Sequence, residues 1–184
     1  MDVSVIIVNY CTAGLVAEAV ESVVRLTQGV SYEVLVVDNA SPDGSGAELQ
    51  TRYAGSGAVK VILSEKNLGF GGANNLGFSQ ARGRNIFLLN PDTVLLNDAV
   101  SLLSLYLDDN EEAGVCGGNL YTAEGQPASS FKRLFPSVSA ELSSLMCHIP
   151  ERVCYGRNVT FNHTGRDLDV AFIVGADLMI RRTL

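Results

Sequence analysis

Ile86-Phe87-Leu88-Leu89-Asn90-Pro91-Asp92-Thr93 is an apolar run that stops abruptly at a carboxylate. Large apolar residues in a row, bounded by turn formers, predict a strand that is buried on both faces, as in the middle of a parallel sheet. Asp92 would then lie at the carboxyl end of that strand. Ligands of open α/β sheets bind in the crevice outside those ends, so Asp92 is a candidate for holding a metal or a polar ligand.

Helix capping is the alternative role for Asp92. The next helical pattern, from about residue 98 to residue 109, already has Asn97 as its N-cap and Asp98 in its first turn. The apolar segment Val94-Leu95-Leu96 separates Asp92 from that cap. The pattern therefore favours a functional role for this carboxylate.

A second strand, Glu33-Val34-Leu35-Val36-Val37, also ends at an acidic residue, Asp38, which Asn39 follows. Here Ser41 followed by Pro42 predicts an N-cap with proline at the first helical position. Since the cap is already supplied, Asp38 is available for another role.

Composition and length predict one globular α/β domain. The chain has 184 residues, of which 47% are hydrophobic and 18% charged. No stretch has the apolar length of a membrane span and the N-terminus lacks the pattern of a signal peptide, so we expect a cytoplasmic protein. Its cysteines, Cys11, Cys116, Cys147 and Cys154, lack paired spacing and fit reduced thiols. A zinc site built from Cys147, His148, Cys154 and His163 is conceivable, but this spacing matches no common zinc site.

Charge is distributed unevenly along the chain. Residues 1 to 128 carry 6 basic and 15 acidic side chains, whereas residues 129 to 184 carry 7 basic and 5 acidic ones. The acidic first part argues against general nucleic-acid binding, which needs a basic face. The small surplus of basic side chains in the C-terminal part could contact an anionic acceptor or the inner face of a membrane. Ordinary surface charge also explains this surplus.

Strands and helices alternate along the first two thirds of the chain. We predict strands at 3–8, 33–37, 59–63 and 86–90, with helices after residue 14, after Ser41, from about Gly72 to Arg82, and from 98 to 109. A short apolar segment lies near Val115, and Leu168 to Ile180 reads as one or two strands joined at Gly175. Such alternation predicts a mostly parallel sheet with helices on both faces. An amphipathic piece at 137–148 lies in a less regular region, interpreted as a lid, an acceptor-side subregion or simple connecting structure.

The glycine-rich segment from Asn67 to Gly77 could bring backbone amides close to a ligand. It lacks the Gly-Lys-Ser/Thr of a P-loop. A dinucleotide-binding fold would place its glycines in the first strand-to-helix turn, which here is Asn9-Tyr10-Cys11-Thr12-Ala13-Gly14. The sequence thus argues against a nicotinamide-dependent dehydrogenase.

Three segments together resemble family 2 glycosyltransferases. They are Val-Ile-Ile-Val-Asn-Tyr at 5–10, Val-Val-Asp-Asn-Ala-Ser at 36–41, and Asn-Leu-Gly-Phe-Gly-Gly-Ala-Asn-Asn through Leu-Leu-Asn-Pro-Asp-Thr at 67–93. The likeness is greatest to the bacterial rhamnosyltransferase-like branch. It implies a GT-A fold, with a nucleotide-sugar-binding region at 1–122 and the start of an acceptor-side region of the same domain at 123–184.

The resemblance also implies site residues. A nucleotide-binding role falls on Asn9, Tyr10, Asp38, Asn39, Asn67, Gly69, Asn74, Asn75 and Asn90. Asp92 falls on the last carboxylate of the family's Asp-x-Asp motif, which binds Mg²⁺ or Mn²⁺ beside the sugar diphosphate. Gly175 and Ala176 fall on the strand that borders the donor sugar and the acceptor.

The chain departs from the family pattern at two positions: Asn90 replaces the first Asp of the metal motif, and Asn74 stands where many relatives carry Arg. The family's acidic base is expected beyond Leu184, so the chain resembles an N-terminal portion that binds donor and transfers sugar poorly. Asp177 is an acidic candidate by position, although a surface or strand-end role is favoured.

The resemblance implies an inverting transfer from a dTDP- or UDP-sugar, of rhamnose or another hexose, to a polysaccharide or lipid-linked glycan. The alternatives are a non-catalytic nucleotide-binding or assembly module and a sugar-1-phosphate nucleotidyltransferase. The latter should carry an Arg-containing glycine-rich loop near the N-terminus, which Asn9 to Gly14 does not provide.

Overall fold

A computed structural model describes residues 1–135 and 149–184. The chain divides into two compact units, of which the first comprises Met1–Cys116 with Gly175–Leu184 and the second Gly117–Val174. The predicted amphipathic piece at 137–148 lies outside the described residues, and so do Cys147 and His148 within it.

The first unit alternates strand and helix in the predicted order. Its elements are β1 (Val3–Asn9), α1 (Ala13–Leu26), β2 (Tyr32–Asp38), α2 (Ser45–Arg52), β3 (Val59–Leu63), α3 (Gly69–Gln80), β4 (Asn85–Leu89), α4 (Ala99–Asp109), β5 (Val115–Cys116) and, after the second unit, β8 (Asp177–Arg181).

The central sheet has six strands in the order β3-β2-β1-β4-β8-β5. The first four are parallel, with Asn9 opposite Asp38 and Ile6 opposite Leu88. β8 runs antiparallel to both β4 and β5. The prediction of a mostly parallel sheet is therefore confirmed, and the strand ending before Asn90 is central as expected.

Helices cover both faces of this sheet, as predicted. Alternate residues of β1 point to opposite sides because the side-chain period of a strand is two. Val5 and Ile7 pack in a core with α1, α2 and α4, whereas Ile6 and Val8 pack in a second core with α3. Burial of both faces explains why the strands read as continuous apolar runs.

Three helix starts differ from prediction. α3 begins at Gly69 rather than near Gly72, so the glycine-rich segment forms the first turns of a helix instead of an extended loop. The N-cap of α4 is Asp98, whose carboxylate accepts from the amide of Ser101 at 3.2 Å, and not Asn97. α2 begins at Ser45, after Gly44 in the left-handed region, so Ser41 does not cap it.

An ion pair between the exposed Arg82 and the buried Glu33 anchors the amino-terminal side of the sheet. The guanidinium of Arg82 lies 2.7 Å from the Glu33 carboxylate, which also accepts from the hydroxyl of Ser4 at 2.7 Å. The Ser4 hydroxyl in turn accepts from the amide of Gly83 at 2.8 Å. Burial opposes ionisation of Glu33, but the bonds from Arg82 and Ser4 outweigh it and lower the Glu33 pKa. This cluster fixes the turn between α3 and β4 at the edge opposite Asp92.

The second unit is less regular, in line with the break in pattern after residue 122. It contains β6 (Phe131–Lys132) paired antiparallel with β7 (Phe172–Ile173), and α5 (Ile149–Tyr155). The guanidinium of Arg133 lies over the rings of Phe131 and Tyr155 at 5.4 and 5.1 Å. The predicted strand pair joined at Gly175 is thus divided, because β7 and β8 belong to different sheets.

None of the helices within 1–135 and 149–184 has the length and apolar character needed to span a bilayer.

Candidate functional site

The candidate site is the carboxyl edge of the sheet, where β1, β2 and β4 end side by side. β1 pairs with β4 as far as Ile6 opposite Leu88, close to the end of β4, and Asn9 at the end of β1 is paired directly with Asp38. The predicted residues Asn9, Asp38 and Asn90 are therefore brought to one edge, as expected for adjacent parallel strands.

Asn9 organises the turn that follows β1. Its side-chain amide group lies 2.7 Å from Asp38 Oδ1 and 3.0 Å from the Ser45 hydroxyl, and it donates to these oxygens. Its carbonyl oxygen accepts from both the amide and the hydroxyl of Thr12, at 3.1 and 3.0 Å. Asn9 is completely buried, so its polar atoms bond within the protein and link the end of β1 to the end of β2.

Asp38 lies in the same buried network. Its Oδ1 accepts from the Ser41 hydroxyl at 2.6 Å and its Oδ2 from the Ser41 amide at 3.2 Å. The side chain is only 5% exposed, and Gly46 of α2 packs directly against the carboxylate. Ser41 thus serves the site rather than α2: its hydroxyl also accepts from the amide of Cys11 at 3.0 Å.

Ser41, Ser45 and Thr12 were not predicted as site residues. Ser41 was assigned to capping because Ser-Pro at a helix start is a common local signal. A clue was available, since a serine three residues after an aspartate often bonds back to it in an Asx-type turn.

Tyr10 and Cys11 form the exposed rim after β1. The ring of Tyr10 is 48% exposed, and Cys11 adopts a left-handed backbone conformation with φ of 58°. Partial desolvation and the nearby Asp43 carboxylate raise the pKa of the Cys11 thiol. Hydrogen bonds from Ser45 lower the pKa of Asp43 and keep that carboxylate charged. The rim therefore presents an aromatic ring beside an acidic turn.

Asn39 and Asn67 bond to each other across the edge. The amide group of Asn39 donates to Asn67 Oδ1 at 3.0 Å, and the carbonyl oxygen of Asn39 accepts from the backbone amide of Leu68 at 2.8 Å. Asn67 Oδ1 also accepts from the amide of Gly69 at 2.9 Å. These bonds seat the start of α3 against the end of β2.

The predicted asparagine pair of α3 is split between buried and exposed positions. Asn74 is buried and donates to the carbonyl oxygen of Phe70 at 3.0 Å, whereas Asn75 is exposed. The first turn of α3 contains no acidic residue and its N-cap, Leu68, offers no capping side chain. The amide of Gly69 is therefore bonded to Asn67, while the later amides of that turn have no side-chain cap.

Asn90 and Asp92 follow β4. The amide of Asn90 donates to the carbonyl of Ala176 at 3.0 Å, which brings Gly175 and Ala176 beside the predicted metal motif. Asp92 is exposed, and its carboxylate makes no hydrogen bond or ion pair with any described residue. This carboxylate is therefore accessible at the strand end.

Asp177, the acidic candidate by position, begins β8 and is only 6% exposed. It pairs with Leu89 in the sheet, and its charge contributes to the environment of Cys116. Burial, followed by the Asp177 charge, raises the pKa of the Cys116 thiol to about 12. Asp177 thus occupies a buried strand end, which is the structural role that the sequence favoured for it.

Within the described residues, no group of three or more His, Cys, Asp or Glu side chains has the spacing of a metal site. His163 and Cys154 are exposed there, and Cys11, Cys116 and Cys154 are free thiols. The donor set at the carboxyl edge nevertheless suits Mg²⁺ or Mn²⁺, because such ions need only one or two protein carboxylates when phosphate oxygens and water complete the shell.

Comparison with known proteins identifies the family. Residues 4–166 match the family model described as Glycosyl transferase family 2. Succinoglycan biosynthesis protein ExoO of Rhizobium meliloti is 35% identical over 97 residues, which make up 53% of this chain and 27% of that protein. Glycosyltransferase GlyG of Streptococcus pneumoniae is 28% identical over 119 residues, 65% of this chain and 39% of that protein.

Solved structures show the same fold. Mannosyltransferase PcManGT from Pyrobaculum calidifontis, in complex with GDP-Man and Mn²⁺, has a TM-score of 0.58 at 22% identity, over 65% of this chain and 35% of that one. S. aureus TarS 1–349, in complex with UDP-GlcNAc, has a TM-score of 0.59 at 25% identity, over 72% of this chain and 38% of that one. The match therefore spans about a quarter to two fifths of the length of these four proteins.

The predicted GT-A architecture is confirmed by these structural neighbours. Since the family model covers most of the chain, from the second residue of β1 to residue 166, the protein belongs to glycosyl transferase family 2.

Proposed function

We propose that the carboxyl edge of the sheet binds the nucleoside diphosphate part of a sugar donor. The observation that carries this proposal is that the exposed carboxylate of Asp92 follows β4, while Asn9 and Asp38 order the turn after the neighbouring strand β1 and the start of α3 is bonded to Asn39 at the end of β2. Together they offer an aromatic ring, backbone amides and a carboxylate to one elongated ligand.

The exposed and buried residues have different roles in this proposal. Tyr10, Asn75 and Asn90 reach solvent and are assigned to direct contact with the nucleotide. Asn9 and Asp38 are buried and bonded to each other, and they hold the turn that carries Tyr10. The pyrophosphate is assigned to the side of Gly69, because amides at a helix N-terminus carry a partial positive charge.

Asp92 is the residue assigned to hold Mg²⁺ or Mn²⁺. Such an ion, when bound, neutralises charge that develops on the leaving diphosphate. Asp92 suits this role because its carboxylate is exposed and is not engaged by the described residues. The amide of Asn90 in place of a second carboxylate offers a neutral oxygen, and Ala176 holds its backbone in place.

The reaction that follows is transfer with inversion. The bond between the anomeric carbon and the diphosphate breaks, an acceptor hydroxyl oxygen forms the new bond, and a base takes its proton. Asp177 is too deeply buried to meet an acceptor, so no residue of this chain is assigned as that base. Gly175 and Ala176 lie beside Asn90 and are assigned to the border between the donor sugar and the acceptor.

Donor and acceptor classes are proposed from the relatives and from the resemblance to the rhamnosyltransferase-like branch. Names among the relatives refer to succinoglycan and to minor teichoic acid biosynthesis, which supports a polysaccharide or lipid-linked glycan acceptor. Solved neighbours hold GDP-Man and UDP-GlcNAc, which supports a hexose donor. We assign a dTDP- or UDP-sugar, with rhamnose as the first sugar to test.

Calorimetric titration with UDP, dTDP, GDP, ATP and NAD, each with and without Mn²⁺, tests this proposal. We expect a pyrimidine nucleoside diphosphate to bind best and Mn²⁺ to strengthen its binding. Preference for ATP or NAD over UDP and dTDP would contradict it. Binding without release of nucleoside diphosphate in the presence of a glycan acceptor would instead favour a non-catalytic module.

A further inference from the structure

Asn39 occupies an unusual place at the candidate site, because it is polar, directly follows β2, and is only 3% exposed. Its backbone amide donates to the carbonyl of Asn9 at 2.9 Å. Its side chain reaches the other way, to Asn67 at 3.0 Å and to Leu68 at 2.8 Å. Asn39 thus links the end of β1 to the start of α3.

The segment that Asn39 holds is otherwise poorly anchored. Residues 65–71 are all exposed, and Gly69 has a positive φ of 72°. Apart from the bonds to Asn39, the side-chain bonds of residues 66–69 are local ones, from Ser64 to the Lys66 carbonyl and from Gly69 to Asn67. An exposed segment with few buried contacts opens at low free-energy cost. The two bonds to Asn39 therefore contribute much of the free energy that keeps this segment in its ordered conformation.

We propose that Asn39 is a positioning residue that clasps the 67–69 turn to β2 and so sets the direction of the first amides of α3. The proposal deepens the proposed function and rests on it, since those amides are the ones assigned to the donor pyrophosphate. Both polar atoms of the Asn39 side chain are used by the clasp, and the side chain is buried. It acts on the ligand through Asn67 and Leu68 rather than by direct contact.

The side-chain chemistry explains why an amide stands at position 39. Its nitrogen must donate to Asn67 Oδ1 while its oxygen accepts from the Leu68 amide. An aspartate could make only the second bond and would set a carboxylate oxygen against the Asn67 oxygen.

Hydrogen exchange at Leu68 tests the clasp without any ligand. Asn39→Ala and Asn67→Ala each remove the bond between the two side chains, and Asn39→Ala also removes the acceptor of the Leu68 amide. In Asn39→Ala we expect exchange at Leu68 to be faster by on the order of tenfold, the equivalent of one ordinary hydrogen bond. Asn97→Ala, which removes an exposed asparagine elsewhere, is the matched control and should leave Leu68 unchanged. Unchanged Leu68 exchange in Asn39→Ala would overturn the clasp.

A double-mutant cycle on UDP or dTDP binding tests the positioning role. Each single variant should weaken binding by roughly tenfold, and the double variant should be no weaker than Asn39→Ala, because both changes open the same clasp. Losses that multiply in the double variant would show that the two side chains act independently and would overturn the positioning role. Because Asn67 is exposed, Asn67→Ala tests the same side-chain bond on its own if Asn39→Ala folds poorly, and unchanged nucleotide binding in it would likewise overturn the role.

The two proposals fail in different ways. If the unaltered chain binds neither nucleotide while Leu68 exchange responds to Asn39→Ala, the proposed function is wrong and the positioning role falls with it. If the nucleotide binds and Leu68 does not respond, only the clasp is wrong.

Discussion

Replacing Gly46 by alanine should displace the Asp38 carboxylate from the candidate site. Gly46 lies in the first turn of α2, and a Cβ built there would be 2.5 Å from Asp38 Oδ2 and 2.6 Å from its Cγ. Ordinary van der Waals contact begins at 3.4 Å, so the carboxylate must retreat by about 0.9 Å. It cannot do so freely, because it is 5% exposed and held by Asn9 and Ser41.

The cost follows from the bonds that such a shift breaks. The Asp38 carboxylate accepts at 2.7 Å from Asn9 and at 2.6 Å from the Ser41 hydroxyl, and a shift of that size away from these donors would break both bonds. Hydrogen bonds to a charged group contribute about 1.5–3 kcal/mol each. Alanine regains about 1 kcal/mol of helix propensity. We take values near the lower end of the range for the two hydrogen bonds and subtract the gain in helix propensity. Gly46→Ala should therefore lower the free energy of unfolding by about 2–3 kcal/mol.

Gly14→Ala is the matched control. Gly14 also lies in the first turn of its helix, α1, but a Cβ there would have no neighbour within 4 Å. The same substitution should therefore raise stability by about 0.4–1 kcal/mol through the entropy of the unfolded chain. Urea unfolding followed by circular dichroism measures both variants, and nucleotide titration of Gly46→Ala should show weaker binding. A gain in stability in both variants would refute the reasoning, because it would mean that the Asp38 carboxylate yields at no cost.

Three further predictions concern other parts of the first unit. Asp92→Ala should leave the free energy of unfolding within about 0.5 kcal/mol of the parent, since the side chain is exposed. It should, however, abolish the enhancement of nucleotide binding by Mn²⁺. Equal enhancement in both proteins, measured by titration, would show that Asp92 is not a metal ligand. Because the Arg82 and Ser4 bonds lower the Glu33 pKa below its ordinary 4.5, the stability that Glu33 supplies is present above that pH and is lost as pH falls through the folded-state pKa. The free energy of unfolding of Glu33→Gln should accordingly depend less on pH between about pH 5 and pH 3 than that of the parent. The same pH dependence of this free energy in both proteins would contradict the prediction. Cys116, whose pKa is raised to about 12, should resist alkylation at about pH 8, whereas the exposed Cys154 should react. Peptide mapping by mass spectrometry measures the labelling of both thiols. Rapid labelling of Cys116 in the folded protein would contradict this and would mean that the β5 edge opens.

The strands of the first unit and their alternation with helices were largely predictable from sequence. A strand buried on both faces must be apolar at nearly every position, so β1, β2 and β4 are recognisable without knowledge of their neighbours. The acidic and amide residues that end them were equally recognisable, since polar groups at strand ends have no role in the core. Roles for these residues in nucleotide and metal binding remain predictions.

Helix boundaries were less predictable because glycine and serine have several local roles. The glycines before Asn74 predict a loop, but they form the first turns of α3. Further along this helix, Gly77 allows a close approach to β1, since a Cβ there would lie 2.7 Å from Ile6. That close approach is a property of the packed helix and sheet, and a single-sequence pattern contains no trace of it.

The buried segments and the polar residues that end the strands follow from the sequence, because burial imposes a local pattern of apolar residues. The partner of each polar group follows from the folded structure alone. Asp98 rather than Asn97 caps α4, and its carboxylate also accepts from the amides of Gln28 and Gly29, some 70 residues away in the chain. Asn39 likewise finds its partner, Asn67, 28 residues further along. Several local partners satisfy a polar side chain about equally well, so the choice between them depends on which distant segments the fold brings within hydrogen-bonding distance.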